Sequence, residues 1–206
     1  IKEAVEVHDI DGVKVEFHLA PGTEAPAEMH MFFPGLGVLN MAENATPLLH
    51  NFCPLRGSEV RDPRLWSYYL ADAVERFGTR TEVLICQHHW PTWGREGVID
   101  FLERQRDLYK YIHDQTVRMM NHGMRPAEIA EQLDLPPSLS DDWRMRGYYG
   151  TVSHNSKAVF QRYLSWYDGH PANLNPLPPR PAAHKYVDYM GGAESILSRA
   201  REDYEN

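Results

Sequence analysis

Apolar and polar residues alternate over residues 4–7 and 13–19, on either side of Asp9-Ile10-Asp11-Gly12. This is the pattern of two half-buried strands joined by a turn that glycine relieves. Short apolar runs follow at 29–33, 36–42 and 82–86, each short enough for a buried strand. Between the last two, a polar turn leads into a short helix expected from Thr46 or Pro47, and then into a helix over 63–77. In that second helix Leu65, Trp66, Tyr69, Leu70, Ala73, Val74 and Phe77 share one face.

After Gly94 the period becomes wholly helical. Residues 97–121 carry Val98, Leu102, Leu108, Tyr111, Ile112, Val117 and Met120 on an apolar stripe that stops at Asn121-His122-Gly123, a C-cap sequence. Pro126 opens a helix closed by Pro136-Pro137, and others are expected over 138–146, 155–167 and 182–204, the last interrupted at Gly191-Gly192. The proline-rich stretch 168–181 reads as extended linker. The pattern predicts an α/β layer over residues 1–95 followed by an all-helical module over 96–206.

Composition narrows the function classes. With 42% apolar and 24% charged residues the 206-residue chain can bury a core, and its net charge of -8 without a basic run argues against a nucleic-acid partner. No apolar run approaches the roughly 18 residues of a membrane span, and no signal peptide is visible. Because the first residue is Ile1, compartment stays open. Cys53 and Cys86 lack Cys-x-x-Cys spacing and read as small buried hydrophobes.

Candidate chemistry gathers at strand ends. Glu24 precedes the run 29–33, Glu43 follows 36–42, and His88 follows 82–86, so residues 19 and 45 positions apart can meet at one sheet edge. Two carboxylates and an imidazole suit zinc or manganese. Glu43 weighs most, because an ionised carboxylate beside a strand interior needs a partner or a metal. Glu24 and Glu28 equally suit solvated or capping turn acids. Three ligands are too few for a di-metal centre, and no His-x-His-x-Asp-His cluster is present. Arg56 offers a guanidinium fork for a tetrahedral oxyanion, with His50 and Asn51 nearby. His88-His89-Trp90-Pro91-Thr92-Trp93 adds imidazoles, and its Trp90 and Trp93 are expected to border an apolar pocket. The loop 147–155 adds Tyr149, Ser153 and His154 as donors, although Ser153 or Asn155 also suits a helix cap. The remaining histidines, His18 among them, read as structural.

Several longer stretches resemble the zinc-dependent alkylsulfatases of the metallo-β-lactamase superfamily. They are Met-Ala-Glu-Asn-Ala-Thr at 41–46, Leu-Arg-Gly at 55–57, Val-Arg-Asp at 60–62, His-His-Trp-Pro-Thr-Trp-Gly at 88–94, Gln-Arg-Asp-Leu-Tyr-Lys-Tyr at 105–111, Arg-Gly-Tyr-Tyr-Gly-Thr-Val-Ser-His-Asn at 146–155 and Asn-Leu-Asn-Pro-Leu-Pro-Pro at 173–179. The resemblance implies the C-terminal part of an αββα sandwich over residues 1–95 and a helical dimerisation domain over 96–206. It implies two Zn2+ per site, with Glu24 a ligand, Glu43 the bridging acid and His88 the imidazole on the second zinc, and hydrolysis of alkyl sulfates such as dodecyl sulfate. Asn51, Arg56, Tyr149 and His154 match sulfate-binding positions, with Arg56 and His154 the catalytic pair. It also implies a homodimer and a periplasmic or secreted setting. The family's His-x-His-x-Asp-His motif and lipid-carrier-like domain lie outside these residues, so the chain alone is expected to be inactive. The alternatives are a metal-free oligomerisation module descended from such an enzyme, or a zinc hydrolase of phosphates or lactones.

Overall fold

The computed structural model describes residues 1–205 and divides into two compact units, Ile1–Trp166 and Tyr167–Asn206. The first begins with the hairpin of β1 (Val5–Ile10) and β2 (Val13–Leu19). Its turn is shorter than the alternation implied, only Asp11-Gly12, with φ of 52° and 82°. Two left-handed residues are what a two-residue type I′ turn requires, and Asp-Gly accepts them readily. β3 (Met29–Phe33) and β4 (Val38–Asn40) continue antiparallel, and β5 (Val83–Ile85) pairs parallel to β4 after a helical crossover. A two-residue strand β6 (Thr92–Trp93), too short to read from periodicity, completes a sheet whose spatial order follows the chain.

Burial alternates along the strands. Phe32, Leu39 and Leu84 are register partners across β3, β4 and β5 and are at most 1% exposed, whereas Met31, Phe33, Val38, Val83 and Ile85 on the other face are half-buried. The crossover helix α1 (Pro63–Phe77) seals the buried face with Trp66, Leu70, Ala73 and Phe77. Its start is set by Asp62, whose carboxylate accepts the Arg64 and Leu65 amides, followed by proline at the first helical position. The 27-residue α2 (Arg95–Asn121) lies along α1 and adds Val98, Phe101, Leu102 and Tyr109 to the same core. The boundary expected between residues 95 and 96 therefore falls inside the first unit.

Three helices follow: α3 (Pro126–Gln132), the single turn α4 (Pro137–Ser140) and α5 (Val152–Leu164). The helix expected over 138–146 is broken, because the Asp142 side chain caps a separate 3-10 turn at Trp143–Met145. α5 starts three residues before the expected Asn155, since Thr151 is the residue whose side chain accepts the His154 amide. No helix forms near Thr46. The backbone there is spent on tertiary bonds: Leu49 exchanges hydrogen bonds with Arg146 and Gly150, and Asn155 donates to the His50 carbonyl while accepting from the Phe52 amide. Gly150 is required at this crossing, because a Cβ there would lie 2.7 Å from the His50 carbonyl and the Asn51 nitrogen.

The second unit holds the one-turn α6 (Pro171–Leu174) inside the stretch expected to be extended, then α7 (Pro179–Tyr189) and α8 (Ala193–Glu205). Gly191 and Gly192, both left-handed at φ 84° and 90°, separate the last two where the sequence placed the break. None of its helical residues is buried, and Tyr186, Val187 and Leu197 are exposed. Among the described residues no helix is long and apolar enough to cross a membrane.

The Asn155 clamp should be costly to remove. Asn155→Leu leaves the buried Phe52 amide and His50 carbonyl without partners, at roughly 1–3 kcal/mol each, so denaturant unfolding should show a loss of about 2–6 kcal/mol. The core also encloses His18 and His30, directly opposed on β2 and β3. Burial pushes both imidazoles down, His30 to about 3, from an ordinary value of 6.5. The unfolded chain therefore takes up protons that the folded chain refuses, and stability should fall as pH drops from about 6.5 toward 3. Glu28, pushed up to about 7 chiefly by burial, opposes this between its ordinary 4.5 and 7. Thermal unfolding midpoints should still decline between pH 6.5 and 4.5, and a flat or rising profile there would mean that water reaches at least one of the rings.

Candidate functional site

Glu43 and His88 each stand three residues beyond a register pair, Asn40 on β4 and Ile85 on β5, so parallel pairing carries both to the same sheet edge. The turns that present them are unusual. Ala42 and His88 are left-handed non-glycine residues, with φ of 52° and 69°, a conformation that costs on the order of 1 kcal/mol or more and persists where the surroundings impose it. Met41 donates its amide to Ile85, Gln87 to Ala42, and Ala42 to the Asn40 side chain, which binds the two turns together.

Around Glu43 the donors converge. His88 Nε2 and His50 Nε2 both lie 3.2 Å from Glu43 Oε1. Ligand atoms of Glu24, Glu43 and His50 lie within 4.8 Å of one another. His50 Nδ1 sits 2.9 Å from the Asn51 carbonyl oxygen and 3.4 Å from Arg61 Nη1; with Nδ1 donating to the carbonyl, the shorter of the two contacts, the ring proton is on Nδ1. Its Nε2 lone pair then faces a carboxylate oxygen, acceptor against acceptor. A second proton on the ring would resolve this, but burial holds His50 below the ordinary imidazole value. A cation shared by the imidazole and the carboxylates resolves it equally, and two carboxylates with neutral imidazole form a donor set that zinc accepts. The residues present fit such an ion.

Glu24, 14% exposed at its side chain, is ion-paired to Arg61, whose Nε also donates to the Glu24 carbonyl at 2.7 Å. Arg61 is itself buried and uses Nη1 on the Asn51 carbonyl and on Asn51 Oδ1, at 3.0 and 2.6 Å. The Asn51 amide oxygen is thereby occupied, leaving its NH2 as the half able to meet an anion. Glu28, the nearby acid, accepts from the Met29 amide as a capping group would, and its value near 7 reflects burial first and the Glu24 and Glu43 charges next.

Asn51, Arg56, Tyr149 and His154 line one cavity of about 480 Å3, together with Cys53, Pro54 and Gly150. Tyr149 sets its ring edge-on to His50 at 4.8 Å between centroids, which joins the cavity wall to the acid cluster. His154 Nε2 donates to the Cys53 carbonyl at 2.6 Å, so a neutral His154 keeps only Nδ1 for another partner. Trp90 and Trp93 do not line this cavity. Both are more than 70% exposed, and Trp90 borders a separate hollow of about 720 Å3 with His89, Trp143 and Arg144. Cys86 is pushed up to about 11 by burial, as an inert thiol would be.

His50 as a ligand and Arg61 as the partner of Glu24 are the roles that sequence reasoning missed. Both residues lie within 46–62, where no periodicity signals direction. The hints were a histidine seven residues past Glu43 and an arginine beside the helix cap Asp62.

The alkyl sulfatase dimerisation family matches residues 125–206. The chain is 55% identical over its whole length to the alkyl/aryl-sulfatase BDS1 of Saccharomyces cerevisiae, and 47% identical to a linear primary-alkylsulfatase of a Pseudomonas species. It spans 32% and 30% of those proteins respectively, about a third of the length of the relatives it matches. The solved stereoselective inverting sec-alkylsulfatase Pisa1 from Pseudomonas superposes on the entire chain at a TM-score of 0.97 with 45% identity, the match covering 32% of that structure. On sequence and fold together, the chain is similar over its whole length to part of the alkylsulfatases, and its residues 125–206 match their dimerisation family.

Proposed function

We propose that this chain provides part of the active site of a zinc-dependent enzyme that hydrolyses alkyl sulfate esters to an alcohol and sulfate. The observation that carries this reading is the pairing of His50 Nε2 and His88 Nε2 with one Glu43 oxygen, beside a cavity lined by Arg56 and Asn51. In this reading Glu24, Glu43 and His88 would hold two zinc ions with ligands from outside these residues, and His50, whose Nε2 faces the same Glu43 oxygen, would add its imidazole to that set. Bound zinc would supply a water acidified to near neutrality and positive charge beside the ester.

The chain's own groups then divide the remaining work. Arg56 presents a fork of donors to the sulfate oxygens, and the Asn51 NH2 adds neutral donors, its orientation set by Arg61 on the other side of the amide. Arg61 offsets part of the Glu24 charge, which lowers the repulsion between the neighbouring acids. His154 and Tyr149 close the cavity wall. The half-buried apolar row of Met31, Phe33, Val38, Val83 and Ile85 supports reading this sheet as one layer of a two-sheet sandwich. Exposed Tyr186, Val187 and Leu197 support a homodimer contact through residues 125–206.

In the full-length protein, Glu43→Gln should abolish dodecyl sulfate hydrolysis and lower the zinc content measured by elemental analysis, because an amide is a poor bridge between ions. Normal turnover with full zinc would remove Glu43 from the ligand set. Arg56→Ala should retain zinc but lower kcat/KM for dodecyl sulfate by roughly tenfold to a hundredfold, the kinetic equivalent of losing a charge-assisted pair. Arg56→Lys should fall between, and faster turnover of a phosphodiester than of dodecyl sulfate by the parent would reassign the substrate.

A further inference from the structure

A line of buried polar side chains runs from α1 to the acid cluster. Asp72 on α1 lies 2.7 Å from His18 Nε2; His18 Nδ1 lies 3.2 Å from His30 Nδ1; His30 Nε2 lies 2.7 Å from Asn44 Nδ2; and Asn44 Oδ1 accepts the Glu24 amide at 3.2 Å. His18, His30 and Asn44 are at most 1% exposed. Chemistry allows the chain only one direction. Asp72 Oδ2 accepts from Arg76 Nε at 2.7 Å and from His18 in the same way, so His18 carries its proton on Nε2. The His18 Nδ1 lone pair then needs the His30 proton on Nδ1, which leaves His30 Nε2 to accept from the Asn44 amide. At the far end a backbone N–H can only donate, so the Asn44 oxygen must face Glu24. Both ends impose the same order, and every group is satisfied with both imidazoles neutral.

Asn44 is also the neighbour of Glu43, and the rest of it is immobilised: its amide donates to the Met41 carbonyl and its carbonyl accepts from Trp66 Nε1, both at 2.9 Å. We propose that Asp72, His18, His30 and Asn44 are positioning residues, a directed hydrogen-bond chain that fixes the Glu43 turn against the Glu24 loop and so sets the separation of the two acids for a cation. This rests on the metal-site reading above. None of the four side chains is placed as a ligand, and the chain acts through Glu24 and Glu43. Asp72 stands at the outer end and is joined to the acids only through the two rings and Asn44 in this line, so a change there reports on the chain rather than on local charge.

The test is zinc affinity in the full-length protein, measured by competition with a chromophoric chelator, with circular dichroism as the check on folding. Asp72→Leu removes the acceptor that sets the direction and should weaken zinc binding by about tenfold, within the range for groups that orient metal ligands. Asp72→Asn keeps an accepting oxygen and should restore affinity to within about threefold of the parent. Asn44→Asp keeps the shape but cannot donate to His30, so affinity should fall by roughly tenfold to a hundredfold. An added negative charge acting on its own would tighten binding, which makes the sign of that result decisive. Folded Asp72→Leu and Asn44→Asp proteins that bind zinc as the parent does would overturn the positioning role while leaving the metal site intact. If Asn44→Asp fails to fold, Asp72→Leu against Asp72→Asn decides alone. If neither Asn44→Asp nor Asp72→Leu folds, nitrogen-15 spectra of the parent decide, and a His30 proton on Nε2 overturns the chain. A parent that binds no zinc sinks the metal-site reading and this inference with it.

Discussion

The parallel pairing of β4 with β5 is the constraint on which the site depends. An antiparallel partner for β4 would send its C-terminal end to the opposite edge of the sheet, away from Glu43. Because Asn40 and Ile85 are register partners, the three-residue extensions beyond them end at Glu43 and His88, whose side chains then share one carboxylate oxygen. Parallel pairing demands a crossover, and α1 supplies it. That helix simultaneously covers Phe32, Leu39 and Leu84 and places Asp72 against His18. Register is held by burial: a slip of one residue would turn Leu39 and Leu84 out of the core.

Charge at the site is balanced within a small volume. Glu24, Glu28 and Glu43 crowd one sheet edge, and the buried guanidinium that faces them belongs to Arg61. Such a group of acids is costly to assemble in a poorly hydrated place unless cations or protons join it. Arg61 accounts for part of the compensation at Glu24, and protonation near pH 7 accounts for part at Glu28. What is left over falls on Glu43, whose nearest basic neighbours are two imidazoles, one of them buried and held neutral. This residual negative charge is the physical basis for assigning a cation to Glu43. Arg61 contacts both Glu24 and Asn51, and so joins the acid group to the wall of the neighbouring cavity.

The helical part contributes to that cavity by reaching back. Gly150 lies in contact with the His50 and Asn51 backbone, and Asn155 clamps the same segment from the first turns of α5. His154 and Tyr149 are thereby seated beside Asn51 and Arg56, residues roughly a hundred positions earlier in the chain. Helices and sheet share one core in the first compact unit because α2 buries an apolar stripe against α1 along several turns.

Periodicity alone was sufficient for β1 to β5, for α1 and α2, and for the break at Gly191-Gly192, because each of these is decided by local alternation, capping or a glycine's freedom at positive φ. The long motifs that resemble alkylsulfatases made the similarity legible too, in keeping with 55% identity to one such protein over the whole chain. Residues 46–62 were not legible in this way. Their backbone groups bond to segments as distant as Arg146, Gly150 and Asn155, so no local rule announces their path, and a helix expected there does not form. The roles of His50 and Arg61, the occupied face of Asn51 and the directed line from Asp72 to Glu24 likewise depend on which donor meets which acceptor across elements. Sequence determines which groups can donate and accept; only the tertiary structure, by bringing them within 3 Å or so of one another, decides which of those capacities is spent and which is left for a ligand.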